Sequence, residues 1–128
     1  MKIRKLLIPL FLVLFLLAGC GADGGKVSAK DVFKQNSGAD IFQYDGFIYS
    51  NISELEWFEE EKERHNKHNL LGEIKKQSTS SFGFKDLTAT KLSIGTKIYS
   101  SSENEKDLGI LIVENEGTDL YYMKLLEG

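Results

Sequence analysis

The stretch IFQYDGFIYS, Ile41 to Ser50, constrains the fold more than any other. An Asp-Gly pair stands between two apolar runs. That is the strongest short-range hairpin signal, because a two-residue turn needs left-handed backbone that these residues accept. A single strand kinked at Gly46 is the alternative. Near the C-terminus, LGILIVE and DLYYMKLLE flank NEGT, which reads as a hairpin turn with glycine at the position of positive φ. Between these, LLGEIKKQ is a candidate strand, and STSSFGFKD is a loop carrying Phe82 and Phe84. ATKLSIGTKIYSS holds a turn at Gly95 that feeds a strand over Thr96 to Ser100, and SSENEKD is a polar loop. One helix is marked. Ser53 and Glu56 have capping-box spacing and Ile52 can staple onto Trp57, which predicts a helix from Glu54 to His65. Its apolar residues, Leu55, Trp57 and Phe58, lie in the first turns, and EEEKERHNKHN is solvated. The order implies an α+β domain: a small curved antiparallel sheet, or a partly closed barrel, with one helix across it.

The chain opens MKIRKLLIPLFLVLFLLAGC. Lys2, Arg4 and Lys5 precede an apolar run from Leu6 to Leu17, broken only by Pro9, and small residues Ala18 and Gly19 follow. A basic start, an apolar stretch and small residues are the layout of a secretory signal peptide. The run falls short of the roughly 20 apolar residues a bilayer span needs. It has no polar face, which argues against a buried core helix in so small a protein. Leu17-Ala18-Gly19-Cys20 resembles the lipobox of bacterial lipoproteins, with all four positions matching. The resemblance implies that the Cys20 thiol receives a diacylglyceryl group and that a dedicated peptidase cuts before it. Two acyl chains hold stably where one binds only marginally. The alternative is a free secreted protein with an odd thiol.

On this reading residues 1–19 are removed. Three basic residues and no acidic ones go with them, so the formal charge moves from −3 to −6. Such a chain is not drawn to nucleic acid and is repelled by anionic lipid. With no cysteine after Cys20, no intrachain disulfide can form, and stability must come from a packed core. Residues 20–39 read as the lipidated cysteine and a flexible tether rich in Gly, Ala, Ser and Lys, within which Ser28 to Gln35 could form a short helix with Asp31 as a weak cap signal. Residues 40–128 read as a single α+β domain.

ADIFQYDGFIYSN, ATKLSIGTKIYS and the closing YYMKLLEG together resemble a group of small lipoproteins of Gram-positive spore-forming bacteria, from about Ala39 to Gly128. The resemblance implies an extracytoplasmic membrane location and one compact domain, and carries over no catalytic residue.

Three sets of residues could carry chemistry. Glu61, His65 and His68 fall at i, i+4 and i+7, which on a helix share a face. Imidazoles with a carboxylate suit zinc, copper or nickel, but the chain holds no third histidine, and a solvated charged face explains the same residues. The second set is aromatic. Phe82 and Phe84, in a Ser/Gly loop, are candidates for a surface contact. Tyr121 and Tyr122 are adjacent, so on a strand they point to opposite faces and one leaves the core. Third, a small hydrolase would need a nucleophile, a base and an orienting acid. Cys20 is taken by lipid, and the chain contains no G-x-S-x-G, H-E-x-x-H or phosphate-loop motif. The expectation is therefore a non-enzymatic binding module with no cofactor beyond its lipid. It would meet a membrane protein or a cell-wall component through Phe82, Phe84 and one of Tyr121 and Tyr122.

Overall fold

The computed structural model describes residues 26–104 and 106–127. The expected signal segment, Cys20 and residues 21–25 lie outside the described residues. In chain order the elements are α1 (Ala29–Gln35), β1 (Ile41–Tyr44), β2 (Phe47–Asn51), α2 (Glu56–Glu59), a 3-10 turn (Lys62–Arg64), β3 (Leu70–Glu73), β4 (Lys76–Gln77), β5 (Thr88–Ala89), β6 (Lys97–Ser100), β7 (Ile110–Asn115) and β8 (Thr118–Lys124). The strands form one curled sheet in the order β3-β6-β7-β8-β2-β1-β5-β4. Every pairing is antiparallel except the short parallel pair of β4 with β5.

Both hairpins form. Tyr44 pairs with Phe47 across Asp45 (φ 52°) and Gly46 (φ 81°), so the chain reverses there rather than continuing as a kinked strand. Asn115 pairs with Thr118 across Glu116 (φ 51°) and Gly117 (φ 82°). Positive φ at both central residues twists a turn to match its strands.

Strand alternation divides the apolar residues between two faces. Phe42 and Tyr49 point inward and stack at 5.3 Å, and Phe42 meets Tyr122 at 4.9 Å. Around them Ile74, Ala89, Ile98, Leu111 and Val113 complete a half-barrel interior. Two buried phenols anchor it. Tyr49 donates to the Leu108 carbonyl at 2.7 Å, and Tyr122 donates to Asp40 Oδ1 at 2.8 Å. Burial pushes both hydroxyls well above the usual phenol range, and the Asp40 carboxylate adds to the effect on Tyr122. On the outer face, Ile41 and Ile48 form a second cluster with Ala29, Val32 and Phe33 of α1.

That second cluster moves the domain boundary. Residues 26–39, expected as tether, belong to the domain. Lys26 bridges to Leu126, and Ala29 is buried. The helix signalled by Ser28 and Asp31 forms as a complete capping box. α1 is therefore the one main helix. The helix expected from Glu54 to His65 shrinks to one turn, α2, followed by the 3-10 turn. Its expected cap is absent: the N-cap is Leu55, without a side-chain bond. Nor does the staple form, because Ile52 is buried while Trp57 is 54% exposed. Beyond Phe58 nothing apolar docks the helix, and Glu59, Glu60 and Glu61 crowd its C-terminal end, where the macrodipole opposes negative charge.

The candidate strand LLGEIKKQ also divides. Its halves lie at opposite edges of the sheet, β3 beside β6 and β4 beside β5, with only Ile74 and Lys75 between them. Ile74 donates to the Thr96 carbonyl at 2.9 Å, and the next amide, Lys75, donates to Leu87 at 2.8 Å. One short segment thus passes from the first strand of the sheet to the last. That handover curls the sheet into a partly closed barrel.

Candidate functional site: the barrel seam and its loop

The seam lies where the β3 edge comes back toward Leu87, between the two ends of the sheet. A Cβ on Gly72 would stand 3.6 Å from Leu87 Cδ2, so backbone and side chain meet there in van der Waals contact. Hollows share Leu70 and Leu71 on either side. One, of about 350 Å³, continues to Leu87, Lys75 and Lys97. The other, of about 450 Å³, continues to Tyr44, Ser100 and Leu108. Leu87 has φ 68°, a strained backbone for a bulky residue. Hydrogen bonds hold it there: its amide donates to Gln43 O at 2.7 Å, and its carbonyl accepts from Lys75 and Lys76. Leu70 remains exposed at the seam.

The segment that ends at Leu87 is the aromatic loop. Ser78 Oγ accepts the Ser80 amide and Ser80 Oγ accepts the Phe82 amide, both at 3.1 Å, so successive serines set the climb of the loop. Gly83 (φ 75°) turns it at the top. The two phenylalanines have separate fates. Phe84 packs edge-on against Phe33 of α1 at 5.9 Å and fixes the root. Phe82 is 90% exposed. Only Phe82 is therefore available as a surface contact. Tyr122 is in the interior, and Tyr121 is half-buried on the outer face with Phe58 at 5.1 Å. The four aromatic candidates do not form one surface.

The proposed Glu61, His65 and His68 face does not form either. The helix ends before His65, whose backbone is extended (φ −115°, ψ 122°) and whose ring stacks on Phe58 at 5.6 Å. Glu61 faces Arg64 at 3.4 Å. The His68 amide donates to Ser100 O beside β6. Helical spacing cannot align side chains where there is no helix. Among the described residues no group of three His, Cys, Asp or Glu side chains could hold a metal ion.

Charge is unevenly placed. Glu54, Glu56, Glu59, Glu60, Glu61 and Glu63 crowd the α2 arm. From Lys75 to Lys97 there are five lysines against one acid, Asp86, which accepts from Gln43 Nε2 and the Gly46 amide. Among the described residues the ion pairs join Lys62 to Glu59, Arg64 to Glu61, and Lys67 to Glu114 and Asp119; none uses a lysine of the seam. Lys97 stands opposite Glu73 and Glu114 in register, so Lys75, Lys76, Lys85 and Lys91 are the freer cations. Sequence reasoning missed the seam, because its hollows arise from two sheet edges meeting and not from a motif. The signal within reach was the density of lysine between residues 75 and 97.

Comparison of the chain with protein-family models, with curated proteins and with solved structures found no significant match.

Proposed function

We propose that the mature chain is a lipid-anchored, non-enzymatic binding module on the outer face of a bacterial cytoplasmic membrane, and that its contact surface is the Phe82 loop with the lysine-bearing seam beside it. One observation carries the choice of surface: Phe82 is 90% exposed on a loop whose root is fixed by Phe84. An aromatic ring held out from a rigid base loses little freedom when a partner covers it. Gly83 lies close to Lys76, 3.6 Å from the ammonium to where its Cβ would stand, so the cation lies against the loop that carries the ring. The complement is an anionic surface with an apolar recess. The lipid anchor confines the domain near such a partner and raises its effective concentration there.

Crosslinking in intact cells, followed by mass spectrometry of what the protein captures, tests this reading. Phe82→Ala should weaken capture of a specific partner about tenfold or more, the loss of roughly 1.4 kcal/mol or more at an aromatic anchor. Lys75→Glu with Lys76→Glu should reduce it as well. A partner captured equally by wild type and by Phe82→Ala would move the contact surface elsewhere. The anchor has its own control: Cys20→Ser should leave the chain unlipidated and uncut, seen by mass spectrometry as a precursor that keeps residues 1–19 and carries no acyl mass.

A further inference from the structure

The tether is shorter than its composition suggests. The chain is tied to the domain at Lys26, through an isolated bridge to Leu126 just past β8, only six residues after Cys20. Fully extended, that span reaches about 20 Å. A domain of about 100 residues has a radius of gyration near 13 Å, so its full width exceeds the reach of the tether. A domain held this closely cannot present every side to the membrane equally.

The end it presents has a particular chemistry. Phe47 lies between two ammonium groups, Lys26 Nζ at 5.0 Å and Lys124 Nζ at 4.2 Å from its ring centre. Leu126 beside them is 59% exposed. Among the described residues neither lysine lies within 4.0 Å of a carboxylate. The acids at this end are Asp31, which caps α1, Asp86, which accepts the Gly46 amide and Gln43 Nε2, and Asp45 in the turn before Phe47. Cations around an apolar residue suit the headgroup boundary, where ammonium groups meet phosphate and the apolar side chain meets the acyl region. The opposite end differs. β2 leaves this end at Phe47 and reaches Asn51 about 13 Å away, where the chain enters the glutamate-rich arm. An anionic bilayer repels that arm.

We propose that the domain stands directly on the bilayer that holds Cys20, with Lys26, Phe47, Lys124 and Leu126 against the lipid and the Glu54–Glu63 arm pointing outward. The proposal rests on the reading of Cys20 as the lipidated residue.

The single tryptophan, Trp57, lies on the outward arm and makes the test direct. The processed protein is extracted from membranes and reconstituted into vesicles of phosphatidylglycerol and brominated phosphatidylcholine. Flotation comes first. A protein that does not float overturns the anchor and this proposal with it. For a protein that floats, Trp57 emission should be the same with and without bromine. The doubly substituted Trp57→Phe, Leu126→Trp protein should lose about twofold or more of its emission in brominated vesicles, because its probe sits at the interface. Both replaced residues are more than half exposed, so the fold should tolerate the change. A floating protein in which Leu126→Trp is unquenched, or in which Trp57 is quenched equally, would overturn the orientation while leaving the anchor intact.

Discussion

Two places in this chain carry the same local helix signal, and only one becomes the helix it announces. Ser28-x-x-Asp31 and Ser53-x-x-Glu56 are both capping-box patterns. At α1 the box closes: the Ser28 hydroxyl accepts the Asp31 amide at 3.2 Å, and Asp31 Oδ2 accepts the Ser28 amide at 3.2 Å. At α2 the serine is used otherwise. Ser53 Oγ accepts the Tyr121 amide at 2.8 Å and so ties the end of β2 to β8. A serine oxygen beside an acidic residue announces that some N–H will be accepted; it does not say which. Packing decides. α1 docks Ala29, Val32 and Phe33 onto the sheet, whereas the α2 arm has Phe58 alone as a buried residue.

The largest effect expected from this contrast is at Phe58. It is fully buried, with Tyr121, His65 and Trp57 around it. Phe58→Ala should cost about 3–5 kcal/mol. It should also release the arm, seen as a change in Trp57 emission before the main unfolding transition in urea. A loss below about 1 kcal/mol would mean that the arm is held by something other than this ring.

Next comes Ser53→Ala. Ser53 is only 5% exposed, and its loss leaves the half-buried Tyr121 amide without this acceptor. The expected cost is about 1–3 kcal/mol, the penalty of a donor left unpaired where water reaches it only in part. A helix cap would give a different signature. If Ser53 served α2, its removal would raise amide exchange in Glu56–Glu59 and leave Tyr121 protected. The reverse is expected here.

Ser28→Ala is smaller, about 0.5–2 kcal/mol for a lost N-cap. Its value lies in the boundary it tests. A tether contributes nothing to global stability, so an unchanged melting temperature would return residues 26–39 to the linker. If α1 is part of the core, each kcal/mol should lower the melting temperature by roughly 4–8 °C.

The same contrast explains what could be read in advance. Both hairpins were legible because their turns demand left-handed backbone, and Gly46 and Gly117 supply it locally. The strand over Thr96 to Ser100 was legible through Gly95 (φ 96°) and the alternation after it. The apolar residues of α1 were in plain sight but sat among Lys, Ser and Gly, and composition outweighed spacing. The division of LLGEIKKQ was not legible, because nothing local says that two halves of one apolar segment belong to opposite sheet edges. Of the candidate site, Phe82 was legible as a loop aromatic. Its separation from Phe84 depends on Phe33, about fifty residues earlier in the chain.

The smallest effect is one of pH, and it also separates the two serine motifs. The Ser28 amide, then its hydroxyl, hold the Asp31 carboxyl below its ordinary value of 3.8. A carboxyl depressed in the folded state stabilises it fully above the unfolded value, and the contribution is lost as pH falls through the folded one. The capping box should therefore stay closed at neutral and mildly acidic pH and open only below about pH 4. Amide exchange followed by NMR can report this through the Ser28 N–H, which donates to the Asp31 carboxylate and should lose protection on acidification ahead of the β2 and β8 amides. Tyr121 N–H, held by a neutral hydroxyl at Ser53, should not respond in that range. Opening of both together would mean that acid acts on the sheet as a whole, and that the Ser28 box has no titration of its own.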